Sequence, residues 1–360
     1  MKRIGIDARL LFQTGVGTYL QNLLHEISLH PTPGMEFTIY CLAPDVEFVQ
    51  KELPHAHIHV TTAMWHTMEE QTVFLADINK DKLDLMHFTY FGHPILYRSP
   101  FIATIHDVTP LLFKTGRAST KNALTYGIKH GTFAAVLKNQ MVHSKAVITP
   151  TIIVKEQLVQ LYGKALADKI YPIHEGVSYR LEGATETKPT IPGPYLLYVG
   201  NFYPHKNVLT LVRAFAKSKS TYTLVLAGPR GYFLDSLLAS CTPEEKAHIL
   251  IKDKPTLGEL VGLYKHAAGL IHPSRSEGFG LPLVEAMYFG IPILASHIPV
   301  FQELLGTSYY SFDPYEEESI KQAISRFEQA KVKNINTLKD DFSFSQMTAA
   351  TMDLYKRYAA

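Results

Sequence analysis

The run His272-Pro273-Ser274-Arg275-Ser276-Glu277-Gly278-Phe279-Gly280-Leu281-Pro282-Leu283-Val284-Glu285-Ala286 decides how the second half of this chain is read. An apolar stretch, Gly269–His272, ends where it begins; a glycine-rich loop follows and a helix starts at its far end. Pro282 suits a first helical turn, where its missing N–H is no loss, and Gly290 suits the position just past a helix end. Loop glycines let backbone N–H groups approach a ligand closely. The positive end of the helix they lead into favours an anion such as a diphosphate. Glu277 precedes that helix and Glu285 lies in its opening turns, so both carboxylates can face one ligand from different heights. Two bare glutamates at this spacing would ordinarily be solvated; the surrounding Gly-Phe-Gly-Leu-Pro makes them candidates for a site.

Working outward, short apolar runs alternate with segments of helical period from one end of the chain to the other. Arg3–Asp7 reads as a first strand, Gly15-Val16-Gly17 as a turn, and Thr18–Ser28 as a helix. In that helix Leu20, Leu23, Leu24 and Ile27 line one face. Further strands are expected at Phe37–Leu42, Leu85–Phe88, Phe101–Ile105 and Val147–Thr149. After a helix with Leu158 and Leu161 the pattern stops at Glu182–Pro194, whose glycines, prolines and threonines read as a linker. Strands at Tyr195–Val199, Thr223–Ala227, His248–Ile251, Gly269–His272 and Ile293–Ala295 follow, with helices between them. This alternation predicts an α/β protein of two doubly wound parallel-sheet domains, with ligands beyond the carboxyl ends of the strands. A last helix, around Ser345–Tyr358, carries enough apolar surface to need a docking partner.

Composition narrows the class. The chain has 360 residues, 46% hydrophobic and 19% charged, with a formal net charge of only +2, which gives no global field for nucleic acid. Cys41 and Cys241 are far apart and read as reduced thiols. Asp7 falls where a signal peptide needs an apolar stretch, and no run approaches the ~20 apolar residues of a membrane span. A cytoplasmic protein is expected, with any membrane contact peripheral. Neither a cofactor nor a metal is implied: no two of the 17 histidines form an obvious metal pair. His55, His57 and His59 alternate as on one strand face, with no carboxylate partner apparent.

The Glu277–Glu285 segment resembles the Glu-x7-Glu element of the family-4 retaining glycosyltransferases. Their GT-B architecture has two doubly wound, Rossmann-like domains facing across a cleft. Ile4-Gly5-Ile6-Asp7-Ala8-Arg9 with Gly15-Val16-Gly17-Thr18-Tyr19 is similar to the family's opening strand and loop. Thr104-Ile105-His106-Asp107 resembles its central histidine motif, and Tyr198-Val199-Gly200-Asn201 with Pro204-His205-Lys206-Asn207 its donor-phosphate loop. The likeness spans almost the whole chain, with the motifs in the family's order, and is greatest to mannosyltransferases of surface-polysaccharide assembly. It implies an acceptor-binding domain over 1–182, a nucleotide-sugar-binding domain over 183–342, and a C-terminal helix, 343–360, packing back on the first.

The resemblance also implies roles. Glu277 would hydrogen-bond the donor sugar, and the backbone of Gly278, Phe279, Gly280 and Leu281 would contact sugar and diphosphate. Glu285 would accept from the ribose, and Lys206 would neutralise the departing diphosphate with Asn201 nearby. His106 would sit at the reacting centre, and Gly17 would let the first loop approach phosphates and acceptor. Read without the family, Lys206 is a surface lysine and His106 equally a core histidine. The implied activity is transfer of a hexose with retention, GDP-mannose being the favoured donor, to a saccharide or lipid-linked saccharide. Its rivals are a nucleotide-sugar epimerase of the same architecture and a non-catalytic sugar-nucleotide-binding protein.

Two departures bear on those roles. Many relatives have Arg where this chain has His205, which puts a second fixed charge on the diphosphate in doubt. Thr149-Pro150-Thr151 stands where relatives commonly read Val-Ser-Glu. No Asp-x-Asp triplet occurs, which supports a metal-independent mechanism. Finally, no acidic residue lies between Asp107 and Glu156, whereas Lys114, Arg117, Lys121, Lys129, Lys138, Lys145 and Lys155 all do. Interleaved with Phe113, Tyr126, Phe133, Val136 and Leu137, they read as a solvated helix face or as a basic amphipathic surface for anionic lipid.

Overall fold

The structure, a computed structural model, describes residues 1–30, 33–112, 123–330 and 336–359. The chain forms two compact units. The first comprises Met1–Leu111, the stretch ending at Gly176, and Ser343–Ala360; the second is mainly Val177–Phe342. The first unit is built on a seven-stranded sheet: β1 (Lys2–Asp7), β2 (Met35–Cys41), β3 (His57–Val60), β4 (Leu85–Phe88), β5 (Phe101–Thr104), β6 (Ala146–Thr149) and β7 (Ile170–Pro172), in the order β3-β2-β1-β4-β5-β6-β7. The second has six strands: β8 (Tyr195–Val199), β9 (Thr223–Gly228), β10 (Ile249–Asp253), β11 (Gly269–His272), β12 (Ile293–Ser296) and β13 (Tyr310–Phe312), in the order β10-β9-β8-β11-β12-β13. All neighbours are parallel. These are the two doubly wound α/β units that the alternation predicts.

Every residue of β4, β5, β6, β11 and β12 is buried. Parallel strands covered by helices on both faces must be apolar on both, which is why they stand out as short continuous runs. The strands that the apolar runs do not mark are β3, β7 and β13, all at sheet edges. The edge strand β3 corrects one expectation: His59 does have carboxylate partners. Its Nδ1 lies 3.0 Å from Asp81 Oδ2 and its Nε2 3.6 Å from Asp77 Oδ1, tying β3 to the Leu75–Lys80 helix and the turn after it.

Two further expectations change. The first helix begins at Thr14, so Gly15-Val16-Gly17 is its opening turn rather than a separate one. The stretch after Glu182 is no free linker. The Thr187 N–H donates to the Gly258 carbonyl at 2.9 Å, and Glu186 pairs with Lys265 and His266 at 3.2 and 2.7 Å, holding the segment along the Leu257–His266 helix.

The Phe344–Tyr358 helix belongs to the first unit and packs against the Thr14–Leu29 helix. Its Tyr355 hydroxyl meets His87 Nδ1 at 2.7 Å, and its Tyr358 hydroxyl meets that of Tyr171 at 2.8 Å. Within the long helix Ala123–His143, Phe133 packs edge-on to Phe91 at 4.7 Å and Leu137 is fully buried. Those two apolar side chains therefore serve the core and not a surface. Lys138 and Lys145 are exposed and Lys155 is half-buried; Lys114, Arg117, Lys121 and the Lys129 side chain lie outside the described residues, as do Phe113 and the Tyr126 side chain. Among the described residues no helix is long and apolar enough to cross a membrane.

Beyond β1 the first unit buries three charges. Arg9 donates through Nε and Nη2 to both oxygens of Asp7, at 2.8 and 2.7 Å. Nη2 also reaches Glu70 Oε1 at 2.8 Å, Nη1 donates to the Ala63 carbonyl, and the guanidinium lies 3.7 Å from the Phe74 ring centre. All three side chains are at most 5% exposed. A buried cation with two carboxylates is tolerable only while each lone pair and proton is used. Replacing Arg9 by Met should strand two buried carboxylates and cost about 3–5 kcal/mol, read as a lower urea midpoint; a loss under about 1 kcal/mol would show that the triad is not needed.

Candidate active site

In an open parallel sheet, the crevice beyond the strand ends opens where the strand order reverses. In the second unit that point is between β8 and its neighbour β11. The chain leaves β8 through Gly200 and Asn201 into a short 3-10 turn, Pro204–Lys206, and leaves β11 through Pro273 toward Glu277. Buried Asn207, with φ +60°, joins the two loops: its Nδ2 donates to the carbonyls of Pro273 at 3.1 Å and Pro314 at 2.7 Å. The Arg275 N–H donates to the His205 carbonyl at 2.8 Å.

Those ties bring Lys206 and Glu277, 71 positions apart, into contact. Nζ lies 2.7 and 2.8 Å from the two carboxylate oxygens. His272 Nε2 lies 3.1 Å from Glu277 Oε1. A carboxylate only accepts, so Nε2 carries the proton; Nδ1 is buried without a hydrogen-bond partner, and the ring stacks on Tyr198. Burial alone would raise the Glu277 carboxyl, but the Lys206 ammonium and the His272 N–H outweigh it and hold it well below the usual carboxylate range. Glu277 is therefore an ionised acceptor with fixed orientation.

Glu285 sits in the Leu281–Tyr288 helix, where the Tyr264 hydroxyl donates to its Oε2 at 2.5 Å. Burial raises this carboxyl, and the Tyr264 bond opposes the rise. Gly280 precedes the helix at φ +120°, a conformation that a side chain would strain, and no side chain caps the helix there. Its positive end is thus open to an anion. The Phe279 ring is buried against Phe342 at 5.9 Å, so only its backbone can serve a ligand. The Asn201 carbonyl accepts from Tyr198 at 2.5 Å, and its Oδ1 faces the Tyr203 N–H at 3.5 Å.

The remaining candidates, Gly17 and His106, lie in the first unit. Gly17 is buried in its helix, and a Cβ there would come within 2.7 Å of the Leu11 carbonyl. Its lack of a side chain is already used in packing against its own loop. His106 follows β5 and is engaged on both sides, Nδ1 with Glu175 Oε1 at 3.1 Å and Nε2 with the Thr89 carbonyl at 3.0 Å. The Tyr19 ring stands edge-on to it, 4.9 Å away. Sequence reasoning missed Glu175, His272, Asn207 and Tyr264. Glu175 follows β7, too short a strand to flag; the other three act by supporting residues that were found.

Residues 186–340 match the family model described as glycosyl transferases group 1. That match lies within the second unit. Over 247 residues it is 28% identical to the O-antigen chain mannosyltransferase RfbU of Salmonella typhimurium, covering 68% of this chain and 66% of that protein. It is 25% identical over 285 residues to O-antigen chain mannosyltransferase B of Escherichia coli, covering 71% and 70%. The matches thus span about two thirds of those relatives. The fold is that of sucrose-phosphate synthase from Thermosynechococcus elongatus, with a TM-score of 0.78 at 17% identity over 99% of each chain. The resemblance read from the sequence is borne out, and with it the GT-B fold class.

His205 precedes Lys206 in the same 3-10 turn. Burial lowers this imidazole to about 4; Glu277 opposes the shift, and the Lys206 ammonium adds to it. At neutral pH His205 is uncharged, which leaves Lys206 as the cation beside Glu277. Folding favours the neutral ring, so its contribution to stability is present above the unfolded value of ~6.5 and is lost as pH falls toward 4. The His205 ring resonances should titrate near pH 4 by NMR; a midpoint at about 6 or above would mean that the ring is not desolvated as described.

Proposed function

We propose that this protein is a nucleotide-sugar-dependent, retaining hexosyltransferase of the cytoplasm that works without a metal ion. Its donor is GDP-mannose and its acceptor a saccharide or lipid-linked saccharide. The observation that carries this reading is the Lys206–Glu277–His272 cluster at the reversal point of the second sheet. Similarity to two O-antigen chain mannosyltransferases supports the choice of mannose.

The chemistry follows from the charges. Sugar transfer passes through an oxocarbenium-like state while negative charge grows on the leaving diphosphate. Lys206 and the open end of the Leu281–Tyr288 helix stabilise that charge, and fixed groups do so with little reorganisation. Ionised Glu277 accepts from hydroxyls of the sugar, and Glu285 accepts from the ribose through the lone pairs that Tyr264 leaves. His106 donates to the transferring sugar. The acceptor attacks from the leaving-group side, where the diphosphate helps to take its proton, so neither glutamate is a covalent nucleophile. Lys206 approaches the diphosphate as a compact point charge, the role for which lysine suffices.

Labelled nucleotide sugars incubated with a lipid-extract acceptor test the reading, with GDP-mannose expected to give the labelled product. Lys206→Ala and Glu277→Gln should each lower kcat about 100-fold or more; unchanged turnover in both would overturn the site. Peripheral contact with anionic membrane through the basic stretch Lys114–Lys155 is part of the same proposal, supported by exposed Lys138 and Lys145. The protein should sediment with phosphatidylserine vesicles at low salt and not with neutral ones; equal sedimentation with both would remove that part.

A further inference from the structure

The interaction that the mechanism above leaves unused is the one between His106 and Glu175. His106 is placed by the end of β5, and Glu175 lies three residues beyond the end of β7, with β6 between the two strands. Glu175 is 4% exposed and His106 9%. The backbone beneath the glutamate is pinned: a Cβ on Gly176 would come within 2.6 Å of the Phe344 nitrogen and 2.7 Å of Ser343 Cα, where the C-terminal helix begins. The carboxylate is thus carried on a stretch with no room to shift.

The two bonds of the imidazole are unequal. The Thr89 carbonyl is neutral and can only accept, so Nε2 presents its proton to it. The Nδ1 partner is a carboxylate with little water around it, which also only accepts, so a ring that makes both bonds donates from both nitrogens. A hydrogen bond to an ionised acceptor is roughly twice as strong as one between neutral groups, and burial strengthens it further. When an oxygen-rich ligand competes for the ring, the Thr89 bond yields and the Glu175 bond persists. The edge-on Tyr19 ring, whose hydroxyl is held at 3.1 Å from Thr104 Oγ1, restricts tilting of the imidazole. His87, which shares that Thr104 oxygen at 2.8 Å, is kept neutral by burial, its imidazole lowered to about 3, so it does not compete as a cation.

We propose that Glu175 is the positioning residue for His106: its carboxylate holds Nδ1 as the pivot about which the ring swings, so that Nε2–H passes from the Thr89 carbonyl to an oxygen of the transferring sugar. This rests on the reading of His106 given under the proposed function. A residue that acts only through a transition-state contact lowers kcat and kcat/KM together and leaves donor KM alone.

The test is steady-state kinetics of the full chain with GDP-mannose and the lipid-extract acceptor, comparing Glu175→Gln, Glu175→Asp and His106→Ala. Glu175→Gln should lower kcat about 10-fold or more with donor KM within about twofold and the melting temperature within about 2 °C. Glu175→Asp, which keeps the charge, should recover a measurable part of the loss. Wild-type kcat in Glu175→Gln beside a deep loss in His106→Ala would overturn the positioning role alone. Wild-type kcat in His106→Ala would overturn the reading of His106 itself. If Glu175→Gln melts early, Glu175→Asp decides: a kcat loss at constant KM supports the role, and unchanged kcat overturns it.

Discussion

A carboxylate taken almost wholly out of water is costly unless fixed donors replace its hydration, and the second unit is organised around one such group. Glu277 is met by Lys206 from the loop after β8 and by His272 from the end of β11. Both donors exist there only because those two strands are neighbours in the sheet. The loops in turn are held by Asn207, whose amide spans from one to carbonyls on the other side. Removing the parallel pairing of β8 with β11 would leave an unpaired charge as well as a broken ladder. Fold and site thus share one constraint.

The first unit solves a similar problem differently. Arg9, Asp7 and Glu70 form a closed set in which the charges satisfy each other and nothing faces a ligand by necessity. His106 has one of its two bonds to a neutral acceptor, the Thr89 carbonyl. The contrast is between an ion cluster whose buried charges meet one another and a group with a neutral partner that a ligand can replace. The Lys206–Glu277 pair would belong to the second kind if, as proposed, a diphosphate competes for the lysine.

The strands that could be read in advance were those buried on both faces, such as β4, β5 and β11, because parallel packing demands unbroken apolar runs. Those that escaped, β3, β7 and β13, are edge strands whose pairing supplies hydrogen bonds on one side only. The segment after Glu182 has the composition of a linker, but its backbone finds a partner at Gly258 and its glutamate finds Lys265 and His266. Composition carries no information about such contacts. His59 illustrates the same limit: its alternating neighbours announced a strand face, yet Asp77 and Asp81 reach it only through the folded helix.

By itself, the sequence determined two doubly wound units, the glycine-rich loop before a helix, and the identity of the residues that crowd around it. These follow from local chemistry: periodicity selects the elements, Gly280 permits its turn, and Pro282 starts the helix. Tertiary structure alone decided which of those residues touch. It paired Lys206 with Glu277 across 71 positions, left His205 neutral by burial, filled one side of Glu285 with Tyr264, and set Glu175 against His106. The reason is that burial and charge proximity depend on which strand lies beside which, and in parallel sheets neighbouring strands are joined through long crossovers.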